Sequence, residues 1–436
     1  MMCLDAEKQI GIETFCTSFS GVGGKLRTIP QDFIVNEWFE HPAEKKDGKF
    51  TIAEITATNW ETNLLIRELS NRLHISRQRI GFAGTKDKRA VSTQLMSFYQ
   101  VPPEALAKVT IGDVQIDNIY TSDRPVKIGR LHGNHFNITI RDINRNVRNA
   151  ALQCVVDQLQ KIGGFPNFYG IQRFGVIRPI THVVGKYLVR GEFEQAVMTY
   201  IGNPLESEEQ KLFDLRKNLE QTRDYAAALQ QYPAPFTFEK AMLNILVHNP
   251  YDFVSALKEL PKNLLTMFIY AYQAYLFNKM LSERIRQNLP LNKALPGDVV
   301  LPMRKGIITN ELIPVTERNA AKVNAQLSQG KALVSGILFG SDSVFSEGEM
   351  GEIEQRVIGE EQIDPRDFII PEIPFISSSG LRRPLLARVD SFEYDLVEDD
   401  LHEGKHALTL AFSLPKGSYA TSLLREVMKA DDVRKY

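Results

Sequence analysis

The chain has 436 residues, of which 43% are hydrophobic and 24% charged, so a wholly disordered or fibrous protein is excluded and two or three packed domains are expected. Its 52 lysines and arginines nearly balance 53 aspartates and glutamates, so any polyanion site must be a local patch rather than a property of the whole molecule. No apolar run approaches the roughly 18 residues needed to span a bilayer. The start, MMCLDAEKQIGIETFC, carries Asp5 and Glu7 and lacks the apolar core of a signal peptide. Three scattered cysteines, Cys3, Cys16 and Cys154, make neither a disulfide framework nor a CxxC metal knuckle. A cytoplasmic protein is the expectation.

Taken in chain order, the first part reads as mixed β and α. FTIAEITATNW, from Phe50 to Trp60, reads as a strand. TNLLIRELSNRLHI follows as an amphipathic helix with Leu65, Leu69 and Leu73 on one face and Thr62 as its N-cap. RIGFAG reads as a short strand, TKDKRA as a loop and VSTQLMSFY as the next strand. HFNITIRDI alternates Phe136, Ile138 and Ile140 as a half-buried strand. VRNAALQCVVDQLQKIGG places Val147, Ala151, Val155, Leu159 and Ile162 at helical spacing, with Gly163-Gly164 ending the helix. Helical patterns dominate from His182 to Asn288, and a turn-rich, partly extended stretch runs from Pro290 to Ile370. ARVDSFEYDLV and KHALTLAFSLP then alternate like a hairpin pair before a short amphipathic helix, SYATSLLREVMK. A β-rich start, a helical middle and a β–α end suggest one domain interrupted by another.

Charge is unevenly distributed. Between Arg67 and Arg89 the chain carries Arg67, Arg72, Arg77, Arg79, Lys86, Lys88 and Arg89 against only Glu68 and Asp87. The acidic runs lie elsewhere, at 206–210, 347–355, 359–364 and 396–403, and read as solvated faces. Within the basic stretch, GFAGTKDKRAVSTQ sets Asp87 on a loop tip between Lys86 and Lys88. It is either an exposed charged turn or an acid kept ionised beside a polyanion.

Several motifs are weak. GVGG, Gly21 to Gly24, is not followed by a helical pattern, so the dinucleotide fingerprint fails. GFAGTK lacks the spacing of a Walker A loop. His132 and His135 in LHGNH have no further Cys or His cluster to complete a metal site, and a turn role fits them better. The stripe of Tyr272, Tyr275, Leu276 and Lys279 reads as core packing. Lys416-Gly417-Ser418 opens the last helix, where free N–H groups could hold a phosphate; an ordinary Ser418 cap explains the same residues. PNFYGIQRFG, Pro166 to Gly175, is less easily dismissed. Its aromatics, amides and Arg173 could stack a splayed base, read its edge and hold a phosphate, or could form a well-packed turn.

GFAGTKDKRAVSTQ resembles the signature of the TruD family of tRNA pseudouridine synthases. LRTIPQDFIVNE, GNHFNITIR, PNFYGIQRFG, YQAYLFNKMLSERI and LPKGSYATSLLREVM resemble further blocks of that family, in family order and nearly end to end. IRPITH and the long middle segment look more like the archaeal and eukaryotic branch. The resemblance implies an α+β fold: a pseudouridine-synthase catalytic domain, mixed and mainly antiparallel with flanking helices, interrupted by an α/β TRUD insertion domain. The expected boundaries are 1–178 and 379–436 for the catalytic domain and 179–378 for the insertion.

It also implies Asp87 as the catalytic carboxylate, supported by Arg27 (where bacterial members have lysine), Phe33, Asn167 and Tyr169 (where they usually have phenylalanine). Lys86, Lys88, Arg89, Gln172, Arg173 and Lys416 are the expected RNA contacts. The substrate implied is tRNA, with uridine-13 isomerised to pseudouridine; no cofactor, no metal, no membrane and no protein partner are implied. Isomerisation needs neither redox change nor energy input, in keeping with the missing cofactor motifs. A non-catalytic RNA-binding or chaperone protein of the same fold is the alternative. A glycoside hydrolase would need a second, paired carboxylate that no block supplies.

Overall fold

The protein's structure, a computed structural model, describes residues 3–86, 88–147, 149–304, 306–309 and 311–436, apart from the side chain of Ala151. The chain divides into two compact units, Thr17–Phe165 with Ala387–Tyr436, and Met1–Cys16 with Pro166–Leu386.

The first unit is built on an eight-stranded sheet. Its strands are β1 (Phe33–Trp38), β2 (Phe50–Thr58), β3 (Ile80–Phe82), β4 (Val91–Tyr99), β5 (Val114–Ser122), β6 (Gly133–Ile143), β7 (Asp390–Glu398) and β8 (His406–Pro415). They lie in the order β7-β8-β6-β1-β4-β2-β5, with β3 also on β4. The alternation read from the sequence is the reason for the sheet's two faces. Ala53, Ile55 and Ala57 of β2 and Met96 and Phe98 of β4 turn to one side, where Leu65, Ile66 and Leu69 of the helix Thr62–Arg72 cover them. Ile52 and Leu95 turn to a second, smaller cluster with Ala83 and Val126.

Most neighbours are antiparallel, but β1 and β4 run parallel, with Ile34 opposite Val91 and Asn36 opposite Thr93. The segments entering these two strands, 27–32 and 83–90, therefore reach the sheet at the same end. β2 pairs with β4 along its whole length. β1 and β3 consequently share the other edge of β4, β1 at Val91–Thr93 and β3 at Met96–Phe98. Gly81 on β3 is required by a close approach, since a Cβ there would lie 2.4 Å from the Val126 carbonyl oxygen.

The GVGG turn has a structural role. Val22 and Gly23 donate to the carbonyls of Val427 and Met428, satisfying the C-terminal end of the last helix, Ala420–Met428. Gly21 holds φ 85°, and a side chain there would strike the Met428 carbonyl oxygen at 2.3 Å.

The second unit is mainly helical. The helix Lys262–Arg286 runs 25 residues, buried on most sides, and packs on Thr181–Val189. A smaller sheet, in the order Ile313–Pro314, Val299–Arg304, Ala332–Leu338, Leu381–Pro384, lies in the same unit. Residues 1–16 join this unit because Glu13 N–H donates to Ser282 Oγ at 3.0 Å and that hydroxyl donates to Gly11 O at 2.8 Å. The compact units change at 165/166 and 386/387; the sequence set the insertion at 179–378.

Other local readings change. Glu61, not Thr62, caps the helix Thr62–Arg72, its carboxylate accepting from the N–H groups of Asn63 and Leu64. The last helix begins at Ala420 with Tyr419 at its N-cap position, so Ser418 is not the cap. The stretch after Pro290 contains two helices, Ala320–Ser328 and Gly348–Glu360. All four acidic runs also hide carboxylates that are not solvated: Glu208 is covered beside Arg178 and Arg216, and Glu361 beside Lys186. Glu354 is fully buried and accepts from Ser346 N–H at 2.6 Å, with Arg382 at 3.5 Å. Asp399 accepts from Arg141 at 2.9 Å and from the Asp142 N–H at 2.9 Å. Among the described residues no helix is long and apolar enough to cross a membrane.

Candidate active site

The PQDF segment shows how β1 is seated. Pro30–Asp32 forms one 3-10 turn, and the Asp32 carboxylate accepts from its own turn, at Ile29 N–H, 3.0 Å, and from Arg141 Nε on β6, 2.7 Å. That clamp delivers Phe33 to the start of β1, buried and edge-on to Phe136. The Arg27 guanidinium carbon lies 4.2 Å from the centre of the Phe33 ring, a cation–π contact. Arg27 adopts φ 58°, a left-handed backbone uncommon for a residue with a side chain. Two residues expected at the site are thus brought together by contact.

Asp87 lies outside the described residues. The loop on either side of it is anchored from below. Lys86 N–H donates to Thr62 Oγ1 at 2.7 Å, and Lys86 Nζ donates to Glu37 Oε1 at 2.5 Å. The Lys86 side chain is only 8% exposed and that of Glu37 fully covered, so this lysine turns inward as a partner for Glu37 and not outward as a phosphate contact. Glu37 has a second task. Leu95 falls in the gap on β4 between β1 and β3, and its N–H donates to Glu37 Oε2 at 3.3 Å. Burial pushes the Glu37 carboxyl above its ordinary value, against the pull of the Lys86 ammonium and the Leu95 N–H. Further along, Ala83 O accepts from Gly129 N–H at 2.8 Å and Ala90 O from Asn59 N–H at 3.0 Å. Lys88 and Arg89 are exposed, and Arg89 has φ 58°.

In the helical unit, PNFYGIQRFG is a tightly tied loop. Asn167 is buried: its Nδ2 donates to Pro384 O at 2.9 Å, and its Oδ1 accepts from Arg383 Nη2 at 2.6 Å. The Asn278 amide brackets Tyr169, accepting from its N–H at 2.9 Å and donating to its carbonyl at 3.0 Å. The Tyr169 ring lies 4.1 Å below the Arg383 guanidinium and edge-on to Phe277. Phe168 and Phe174 are core side chains, and Phe174 packs edge-on against His182. Gln172 is exposed, and Arg173 is half-buried between Tyr169 and Tyr270 at 5.9 Å from each. Lys416, in the first unit, is exposed and donates to Gly129 O at 3.1 Å.

Sequence reasoning missed Glu37, Thr62, Asp32 and Arg383. Asp32 and Glu37 stood within the quoted LRTIPQDFIVNE block, and an acid inside an alternating apolar strand was the available signal. Nothing local marks Arg383. Among the described residues no group of three His, Cys, Asp or Glu side chains is placed to hold a metal.

Fold and site define a class: an α+β protein with a mixed, mainly antiparallel sheet whose parallel central pair carries a cation-flanked acidic loop. The chain belongs to the tRNA pseudouridine synthase D (TruD) family, whose model matches residues 9–427. It is 42% identical over 434 residues to a protein described as a probable tRNA pseudouridine synthase D from Methanococcoides burtonii, covering 99% of this chain and 98% of the other. A Pyrococcus furiosus protein of the same description is 38% identical, with 96% and 99% covered. A crystal structure from Methanosarcina mazei that carries the TruD name superposes with a TM-score of 0.90 at 38% identity, over 100% of both chains.

Proposed function

We propose that this protein isomerises uridine-13 of tRNA to pseudouridine, with Asp87 as the catalytic carboxylate. The observation that carries the reading is family membership over nearly the whole chain, joined to a signature loop anchored at the end of the parallel β1–β4 pair.

The reaction breaks the N1–C1′ bond, turns the uracil and joins C5 to C1′; the proton lost from C5 is matched by one gained at N1, so no cofactor is consumed. Two routes use the same carboxylate. In one, an Asp87 oxygen attacks C1′, uracil leaves with the N1–C1′ electron pair, and C5 later displaces the carboxylate. In the other, Asp87 takes the C2′ proton to give a glycal, to which C5 adds as the proton returns to C2′. Both need Asp87 ionised, which Lys88 and Arg89 favour, while these exposed cations can also face RNA phosphates. The target uridine must leave its stack to expose C1′. Arg27 and Phe33 form the support beside β1, and Asn167 holds Arg383 above Tyr169, making a braced aromatic surface. Gln172, Arg173 and Lys416 supply further polar and cationic contacts to RNA.

The test is Asp87→Asn. Carbodiimide mapping of tRNA incubated with each protein should find pseudouridine at position 13 with wild type and a loss of at least about 10²-fold in the variant, with tRNA binding retained. Turnover in the variant at the wild-type rate refutes the assignment, as does a wild-type protein that binds tRNA and leaves it unmodified.

A further inference from the structure

Trp38 ends β1 and is 43% exposed, although it is among the largest apolar side chains in the molecule. Two exposed imidazoles flank it. The His132 ring centre is 5.6 Å from that of Trp38 and the His135 ring centre 5.5 Å. The backbone holds the three rings in place. His132 N–H donates to Trp38 O at 2.8 Å, and the His135 ring shares a 2.6 Å hydrogen bond with Ser413 Oγ on β8. Around them stand three exposed cations, Lys127, Arg130 and Lys416. Lys416 N–H donates to His132 O at 2.9 Å, and Arg130 N–H to Lys127 O at 3.1 Å, so the two basic turns are tied to the same corner. Among the described residues no carboxylate lies in ion-pair range of any of the three cations.

We propose that Trp38, with His132 and His135, is a stacking platform for an unpaired RNA base, whose flanking phosphates are met by Lys127, Arg130 and Lys416. Every base has a π-face, so an exposed indole between imidazoles accepts it without regard to sequence, and fixed cations beside the rings supply the phosphate attraction. Ile128 is exposed in the Lys127–Arg130 turn, but three cations and two imidazoles outnumber it around the indole, which favours a nucleic acid over a protein partner. The platform connects to the signature loop through Gly129, whose N–H donates to Ala83 O at 2.8 Å, so a strand seated on Trp38 lies on the same unit as the segment carrying Asp87. It is a contact in addition to those proposed above, and it rests on the reading of this protein as an RNA-modifying enzyme.

The experiment measures binding of a short single-stranded oligouridylate, and separately turnover of tRNA, by the full chain and by Trp38→Ala, Trp38→Phe and Arg130→Ala. Trp38→Ala should weaken oligonucleotide binding by about 5- to 150-fold, the range of one base stacked on an aromatic ring, and raise KM for tRNA. Trp38→Phe should recover most of the loss, because a smaller ring still stacks. Arg130→Ala should lower the slope of log affinity against log salt by about 0.7, one phosphate on a single strand. Unaltered oligonucleotide affinity in a folded Trp38→Ala protein overturns the proposal, as does failure of Trp38→Phe to restore it. Binding is read without catalysis, so a wild type that binds through Trp38 yet makes no pseudouridine supports the platform and refutes the enzymatic reading instead.

Discussion

The loops at 83–90 and 166–175 look alike in sequence: both contain glycine and mix polar with cationic side chains that could meet RNA. The structure treats them differently. At 83–90 the anchor comes from other parts of the sheet unit, Glu37 and Thr62, and one loop side chain, Lys86, turns inward while Lys88 and Arg89 face solvent. At 166–175 the loop's own Asn167 amide is committed to Pro384 and Arg383, and two of its three aromatics are core. In both, a side chain expected to meet the RNA or line the site, Lys86 in one and Asn167 in the other, is a brace. Charge and hydrogen-bonding capacity do not say which way a side chain points.

The largest effect that bears on this contrast is expected at Glu37. Glu37→Ala strands the Lys86 ammonium in a covered position and frees Leu95 N–H, and should destabilise the protein by about 3–5 kcal/mol, seen as a lower denaturation midpoint with loss of activity. Glu37→Ala combined with Lys86→Met should recover part of the stability. Loss of tRNA affinity without loss of stability in Lys86→Met would reverse the reading of Lys86 as a brace.

Next comes acid sensitivity behind the second loop. His182 lies against Phe174 and Tyr275, and burial pushes its imidazole down to about 4 from its ordinary 6.5, outweighing the pull of the Glu361 carboxylate. The fold therefore prefers the neutral ring. Its stabilisation is complete above pH 6.5 and is lost as pH falls towards 4, by on the order of 3 kcal/mol. Denaturation midpoints measured across that window should fall with wild type and fall less with His182→Phe.

A smaller loss is expected from Asn167→Ala, which removes the 2.6 Å acceptor of Arg383. Stability should drop by about 1.5–3 kcal/mol, the range for hydrogen bonds to charged groups. A variant of unchanged stability that has lost turnover would make Asn167 a base-reading residue instead.

The smallest effect belongs to the exposed pair. Lys88→Ala with Arg89→Ala should raise KM for tRNA a few-fold and reduce the salt slope by about 0.7–0.9 for each phosphate that these cations neutralise in the wild type; titration at several salt concentrations checks it.

Much of the architecture was legible because it follows from short-range pattern. The alternations at Phe50–Thr58, Val91–Tyr99 and the Asp390/His406 hairpin, and the 3.6-residue period in Asn149–Ile162, reappear as strands and helix. What was not legible is long-range in sequence. Arg141 reaches Asp32 and Asp399, 109 and 258 residues away, and Asn167 meets Arg383 across 216. The acidic run at 396–403 looked solvated because nothing nearby in sequence announces the buried guanidinium that Asp399 serves.

The sequence by itself determined the fold class, the family and the loop on which the chemistry is proposed to rest, because periodicity and contiguous signature blocks are local properties that survive without coordinates. Only the tertiary structure decided which polar side chains of those blocks are anchors and which are open to a ligand. That division depends on burial, and burial arises when segments hundreds of residues apart are packed together and each covered charge must find its partner.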